Sequence, residues 1–157
     1  MKYTILTLAV AFFFFSSCDH TANQNPEPSL RPAMAINGTW QLVSGTTITK
    51  GDSSFTDYTK GQKMIKIIND SHFAFLKHDS NPPKDSTNHF DAGGGSYTLA
   101  GDQYTEHLDY YGDRNWEGKS FNFTVSIHND TLVQKGIEKV EKENIDRVII
   151  ERYVRVK

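Results

Sequence analysis

Residues 120–127 read SFNFTVSI: Phe121, Phe123, Val125 and Ile127 alternate with Ser120, Asn122, Thr124 and Ser126. Successive side chains of a strand point to opposite faces, so this stretch is a strand with one dry and one wet face. Reading outward, Asn129-Asp130 turns the chain into a run from Thr131 to Lys135, and Arg147 to Val156 forms the last strand. Upstream, Gly101-Asp102 separates Tyr97–Leu99 from Gln103–Tyr111, and Asn69-Asp70-Ser71 separates Met64–Ile68 from His72–Leu76, both hairpin signals. Phe55–Thr59 follows the turn at Gly51-Asp52, and Trp40 and Leu42 follow Asn37-Gly38. The charge-rich stretch Ile137–Asn144 fits a helical turn or, preferably, a strand extension turning near Glu143-Asn144. Asp79 to Gly95, with Pro82-Pro83 and Gly93-Gly94-Gly95, reads as one long loop, the kind that is usually functional or mobile. Short strands at such regular spacing predict an all-β antiparallel domain, an up-and-down barrel of about 8–10 strands, since closure removes exposed edges. A two-sheet sandwich is the alternative.

The chain has 157 residues, enough for one domain, and its 12% aromatic content suits half-buried strands. A net charge of −2 with mixed signs argues against nucleic acid as a partner, because phosphate binding calls for a clustered basic surface. The amino terminus carries Lys2, an apolar run from Ile5 to Phe15 broken only by Thr7, and then Ser16, Ser17 and Cys18. That run is shorter than the ~20 residues that span a bilayer and reads as a secretory signal. Phe15-Ser16-Ser17-Cys18 resembles the bacterial lipobox, with Phe15 in place of the usual leucine. The resemblance implies cleavage after residue 17 and diacylation of Cys18. Cys18 is the sole cysteine, and lipidation accounts for a lone thiol in an exported protein. Asp19–Ala35, with Pro26, Pro28 and Pro32 and no apolar period, reads as a disordered tether. The expected layout is a signal peptide at 1–17, the lipidated cysteine and tether at 18–35, and the barrel domain at 36–157.

Gly38-Thr39-Trp40 resembles the Gly-X-Trp signature of the lipocalin and calycin barrels. The resemblance implies that Trp40 plugs the barrel floor and that a basic residue of the last strand, Arg152 or Arg155, packs across it. Ser71-His72-Phe73, Gly94-Gly95-Ser96-Tyr97, Tyr104-Thr105-Glu106 and Glu151-Arg152-Tyr153-Val154-Arg155 are similar to a group of bacterial lipocalin-like proteins. Those read Thr-His-Phe, Gly-Gly-X-Tyr, Tyr-Thr-Glu and Glu-X-Trp-X-Arg in the same order. The likeness covers most of residues 37–157. It departs at Ser71 and Tyr153, and the group's aromatic-His pair is missing near Val133-Gln134. The group has no assigned activity, so the resemblance implies a lipocalin-like barrel and an envelope location.

Parity selects candidate lumen residues. Tyr104, Glu106, Leu108 and Tyr110 share one face of their strand, and Arg147, Ile149, Glu151, Tyr153 and Arg155 share one face of the last. With both faces inward, the lumen holds Glu106, Glu151, Tyr153 and Arg155, and its charges must be paired. If the opposite, more apolar face of the last strand is inward, Arg152 is the interior basic residue. Arg155 has two readings: a fork for a ligand carboxylate or phosphate, with Trp40, Tyr97 and Tyr104 stacking on the ligand body, or a structural closure of the barrel end. His72 completes the lumen candidates as a proton carrier. Glu106 and Glu151 have the residue types of a hydrolase pair, but two glutamates among 19 acidic residues assign no catalytic role. His72, His78, His89 and Asp91 show no recognised metal spacing. No metal and no other cofactor is expected. Gly93-Gly94-Gly95 is followed neither by a helix nor by Gly-Lys-Ser, so it does not read as a phosphate loop.

The sequence thus points to a lipid-anchored protein of the bacterial cell envelope, expected at the outer membrane, that binds a small or lipid-like ligand in a barrel lumen. Two alternatives stand beside this one. An assembly or scaffold lipoprotein working by its outer surface requires a filled core and an exposed apolar patch. A hydrolase requires Glu106 and a second acid, or His72, in one pocket. Oligomeric state is left open.

Overall fold

The computed structural model describes residues 34–81 and 89–157. The expected signal peptide, Cys18 and nearly all of the tether lie outside the described residues. The strands are β1 (Gly38–Thr49), β2 (Asp52–Asp57), β3 (Gln62–Ile68), β4 (His72–Asp79), β5 (Phe90–Ala100), β6 (Gln103–His107), β7 (Tyr110–Tyr111), β8 (Ser120–His128), β9 (Thr131–Val140) and β10 (Ile145–Arg155). Every pairing is antiparallel, and β10 closes on β1 from Trp40 opposite Arg155 to Ile48 opposite Val148. β2 lies along residues 44–49 of β1 and β3 along residues 38–41, so the two form one strand interrupted at residues 58–61. In the same way β6 and β7 both run along β5. The result is a closed up-and-down barrel of eight strands, and not a sandwich.

Local chemistry explains the corners. Lys50-Gly51 and Asn129-Asp130 have positive φ at both residues, the geometry that matches strand twist in two-residue hairpins. The Asn69 side chain accepts hydrogen bonds from the amides of Ser71 and His72 and shapes the β3–β4 turn. After β9 a single 3-10 turn, Glu141–Glu143, ends at Asn144 in the left-handed region (φ 54°), so the charge-rich stretch is a hairpin, as preferred from sequence. In the break between β2 and β3, Asp57 accepts from the amide and hydroxyl of Thr59, which with Lys60 hold its carboxyl down at about 2.

Three expectations change. The loop after β4 is shorter than expected, because β4 runs to Asp79 and β5 begins at Phe90. The three glycines are inside β5. A side chain on Gly95 would occupy the place of the His107 carbonyl oxygen, so here glycine permits the close strand approach that pairs β5 with β6. The run Gln103–Tyr111 is not one strand. Its break at Leu108-Asp109 reverses the parity, so Tyr110 is 71% exposed while Tyr111 turns inward. Asp109 anchors this break by accepting from the amide and hydroxyl of Ser96. Finally, Met34 packs against the core and the Ala35 carbonyl accepts from Arg155, so the fastened part of the chain includes these two tether residues.

The alternation on β8 survives intact. Phe121, Phe123 and Val125 are buried, and Ser120, Asn122, Thr124 and Ser126 are exposed. One end of the barrel carries the β3–β4, β5–β6 and β8–β9 hairpins and is filled by Trp40, Leu42, Tyr104, Val125 and Leu132, all nearly or fully buried. The other end is not filled.

Candidate functional site

The unfilled end encloses a cavity of about 260 Å³. Its wall is aromatic: Tyr58 from the β2–β3 break, Phe75 of β4, Tyr111 of β7, Phe121 of β8, and Trp116 from the connection between β7 and β8. Tyr111 and Trp116 meet edge-on with centroids 6.3 Å apart, and Trp116 continues onto Phe121 at 5.6 Å. Phe75 and Tyr111 can approach each other because Gly93 lies between them: a Cβ there would sit 2.8 Å from Phe75 and 2.9 Å from Tyr111.

The floor of the cavity is polar and buried. Lys66 of β3 is 2% exposed, and its ammonium donates to Glu106 Oε1 at 2.6 Å and to Gln134 Oε1 at 3.0 Å. It also lies 5.6 Å from the Phe73 ring and 5.4 Å from the Tyr153 ring. Such a pair is tolerated only because its geometry and hydrogen bonds offset the desolvation of both ions. Glu151 of β10 faces the same space and accepts from the Tyr153 hydroxyl at 2.7 Å. Nearer the mouth, Glu138 takes both Nε (2.7 Å) and Nη2 (2.6 Å) of Arg147, and Lys77 faces Asp91 at 3.5 Å. Burial lifts the Tyr111 phenol to about 12, with Asp91 adding to the effect.

Burial also lifts the Glu151 carboxyl above the 4.5 of a free glutamate, against the opposing pull of Lys66. Between pH 4.5 and that raised value the folded state holds a proton that the unfolded chain has released, so stability falls as pH rises through this window. Glu151→Gln is expected to stabilise the fold at neutral pH, with the gain fading as pH drops from the raised value to 4.5. Urea unfolding of both forms from pH 4 to 8 checks this, and a constant difference across the range would refute it.

The structure divides the sequence candidates. Glu106, Glu151 and Tyr153 line the cavity together, so of the two faces left open for the last strand the one carrying Glu151 and Tyr153 is inward. Trp40, Tyr97, Tyr104, His72 and Arg155 do not line it. Trp40 is wholly buried at the opposite end, with its indole N–H on the Ile36 carbonyl at 2.8 Å. Arg155 stacks on it at 4.0 Å and donates to the carbonyls of Asn37 (2.7 Å) and Ala35 (2.9 Å). Its guanidinium is therefore spent on closing the floor, and the ligand-fork reading of Arg155 is withdrawn in favour of the closure. Arg152 is exposed on the outer face. Gly38 belongs to this closure, since a Cβ there would lie 2.5 Å from Arg155 Nη1. Tyr104 is buried below the cavity against Tyr97, and the Tyr97 hydroxyl is tied to the Asn69 carbonyl at 2.7 Å. His72 is on the outer surface, hydrogen-bonded to Ser71.

Sequence reasoning missed Lys66, Gln134, Trp116 and the Arg147–Glu138 pair. A lysine inside the apolar run Met64–Ile68 was the available signal for the first.

No protein-family model and no curated protein matches the sequence. Among solved structures the chain is similar to a lipocalin-like protein from Bacteroides uniformis ATCC 8492, at 16% identity and a TM-score of 0.47 over 77% of this chain and 98% of that one. It is also similar to an uncharacterized protein from Bacteroides eggerthii DSM 20697, at 14% identity and a TM-score of 0.42 over 76% of this chain and 98% of that one. The barrel is lipocalin-like. That description rests on this chain's own strand order and closure. Barrels of this size can hold one small ligand.

Proposed function

We propose that this chain is an envelope-anchored lipoprotein that binds a small, partly apolar molecule in the open end of its barrel. The observation that carries the proposal is the cavity of about 260 Å³, which has an aromatic wall, a polar floor and one sealed end. Sites for drug-sized ligands occupy roughly 300–1,000 Å³, so the part of the occupant held in the lumen is small by comparison. A protein acting only by its outer surface would call for a filled core, and the upper barrel is not filled. A hydrolase is the second reading, favoured by Glu106 and Glu151 lining one cavity in different electrostatic settings.

Mass spectrometry of small molecules that co-purify with the full-length protein tests the binding. A stoichiometric organic ligand, displaced when Phe121 is enlarged to Trp, supports lumen binding, and a clean apo spectrum counts against it. Ligand should alter the fluorescence of Trp116, which lines the cavity, and not of Trp40, which is sealed away. Trp116→Phe is therefore expected to abolish the ligand-dependent change, and its persistence would place the ligand elsewhere. The anchor has its own test: intact mass should show loss of residues 1–17 and acylation at Cys18. Retention of the first seventeen residues would remove the lipoprotein part of the proposal.

A further inference from the structure

Resting on lumen binding, we propose that the ligand is a compact aromatic or alicyclic amine, its single ammonium seated against Glu151 and its ring among Phe75, Tyr111 and Trp116.

Charge in the lumen supplies the first reason. Three cations line the cavity, and each has its own carboxylate: Lys66 with Glu106 at 2.6 Å, Arg147 with Glu138 at 2.6 Å and Lys77 with Asp91 at 3.5 Å. Glu151 is a fourth carboxylate with no cation within ion-pair distance among the described residues, held only by the Tyr153 hydroxyl. With Glu151 ionised, the lining therefore lacks one positive charge. A carboxylate or phosphate ligand would add a second uncompensated anion, and Arg155, the arginine that could have met it, is fixed over Trp40 at the far end. A monocation completes the set, whereas an uncharged ligand leaves the lining as it was. The wall supplies the second reason. Phe75, Tyr111 and Trp116 form an aromatic wall above the polar floor, against which a further ring packs edge-on or offset while its amine reaches Glu151. Size supplies the third: a cavity of about 260 Å³, just below the range of drug-sized sites, suits one ring and a short arm.

Binding of this kind moves a proton. Glu151 faces Lys66 of β3, Glu106 of β6, Glu138 of β9, Tyr58 of the β2–β3 break, and Arg147 and Tyr153 of its own strand. With Lys66 and Arg147 already paired, burial raises the Glu151 carboxyl above the ordinary glutamate range, so between that range and the raised value the empty lumen holds it protonated. An arriving ammonium keeps its own protons, and the Glu151 carboxyl releases one to solvent. Affinity then rises with pH until Glu151 is ionised in the empty protein.

The test uses three probes of one shape: phenethylamine, 2-phenylethanol and phenylacetate. Each is titrated into the detergent-solubilised full-length protein by calorimetry and by Trp116 fluorescence. The amine is expected to bind at least about tenfold more tightly than the alcohol, a difference of ~1.4 kcal/mol. Phenylacetate is expected to be weakest, and the heat of amine binding should vary with buffer in the sense of proton release. Glu151→Gln should bring the amine to within about twofold of the alcohol. Equal affinity of alcohol and amine in the wild-type protein overturns the inference while leaving lumen binding intact. Tighter binding of phenylacetate, an unchanged amine preference in Glu151→Gln, no binding by any of the three probes, or a co-purifying ligand without a basic nitrogen overturns it as well. The wild-type comparison decides the matter even if the variant fails to fold.

Discussion

Lys66→Met is expected to destabilise the barrel by about 3–5 kcal/mol at neutral pH, because it strands Glu106 as a buried charge without its partner. The methionine fills most of the lysine's volume, so little of the loss comes from a cavity. For a domain of this size the loss corresponds to a fall in Tm on the order of 10–20 °C. Removing the partner charge as well, in Lys66→Met with Glu106→Gln, should restore most of the stability, since neutral groups in the same positions avoid the uncompensated ion. Thermal or urea unfolding of the two single variants and the double variant measures the coupling. Strict additivity of the two single losses would show that the pair does not act as a unit.

Trp40→Ala is expected to cost a further large amount, about 3–5 kcal/mol, by emptying the sealed floor and leaving Arg155 with no ring beneath it. Ligand affinity of the protein that remains folded should stay within about twofold of wild type, because Trp40 does not line the cavity. Calorimetric titration well below the lowered Tm makes the comparison. A tenfold loss of affinity with the fold intact would return Trp40 to the binding site. Trp40→Phe, which keeps a ring under Arg155, should lose distinctly less stability.

Much of this architecture is legible in the chain wherever one strand face is dry and the other wet. The alternation in β8 assigns its inward set without error, and the Asn129-Asp130 and Gly101-Asp102 signals end strands where the turns occur. Glu106, Glu151 and Tyr153 are recovered as one lumen set because β6 and β10 keep regular parity across those residues. Parity fails where the backbone breaks step. The interruption at Leu108-Asp109 exchanges Tyr110 for Tyr111, and a period-two pattern carries no mark of such a shift. It also fails in β3, where Met64, Ile65, Ile67 and Ile68 are apolar on both faces, so nothing local says which way Lys66 turns.

The sequence alone determines an antiparallel all-β domain and the positions of most turns, because these depend on neighbours one or two residues apart or on backbone conformations only certain residues adopt; the cover of the last strand over Trp40 is implied only by the resemblance of Gly38-Thr39-Trp40 to the Gly-X-Trp signature. Tertiary structure decides which charges meet. Lys66, Glu106, Gln134 and Glu151 come from four strands, and Arg155 goes to the floor and not to the cavity only because β10 closes on β1 with Arg155 opposite Trp40. Coulombic pairing and desolvation act through space, so the lumen's charge balance exists only once the sheet has closed.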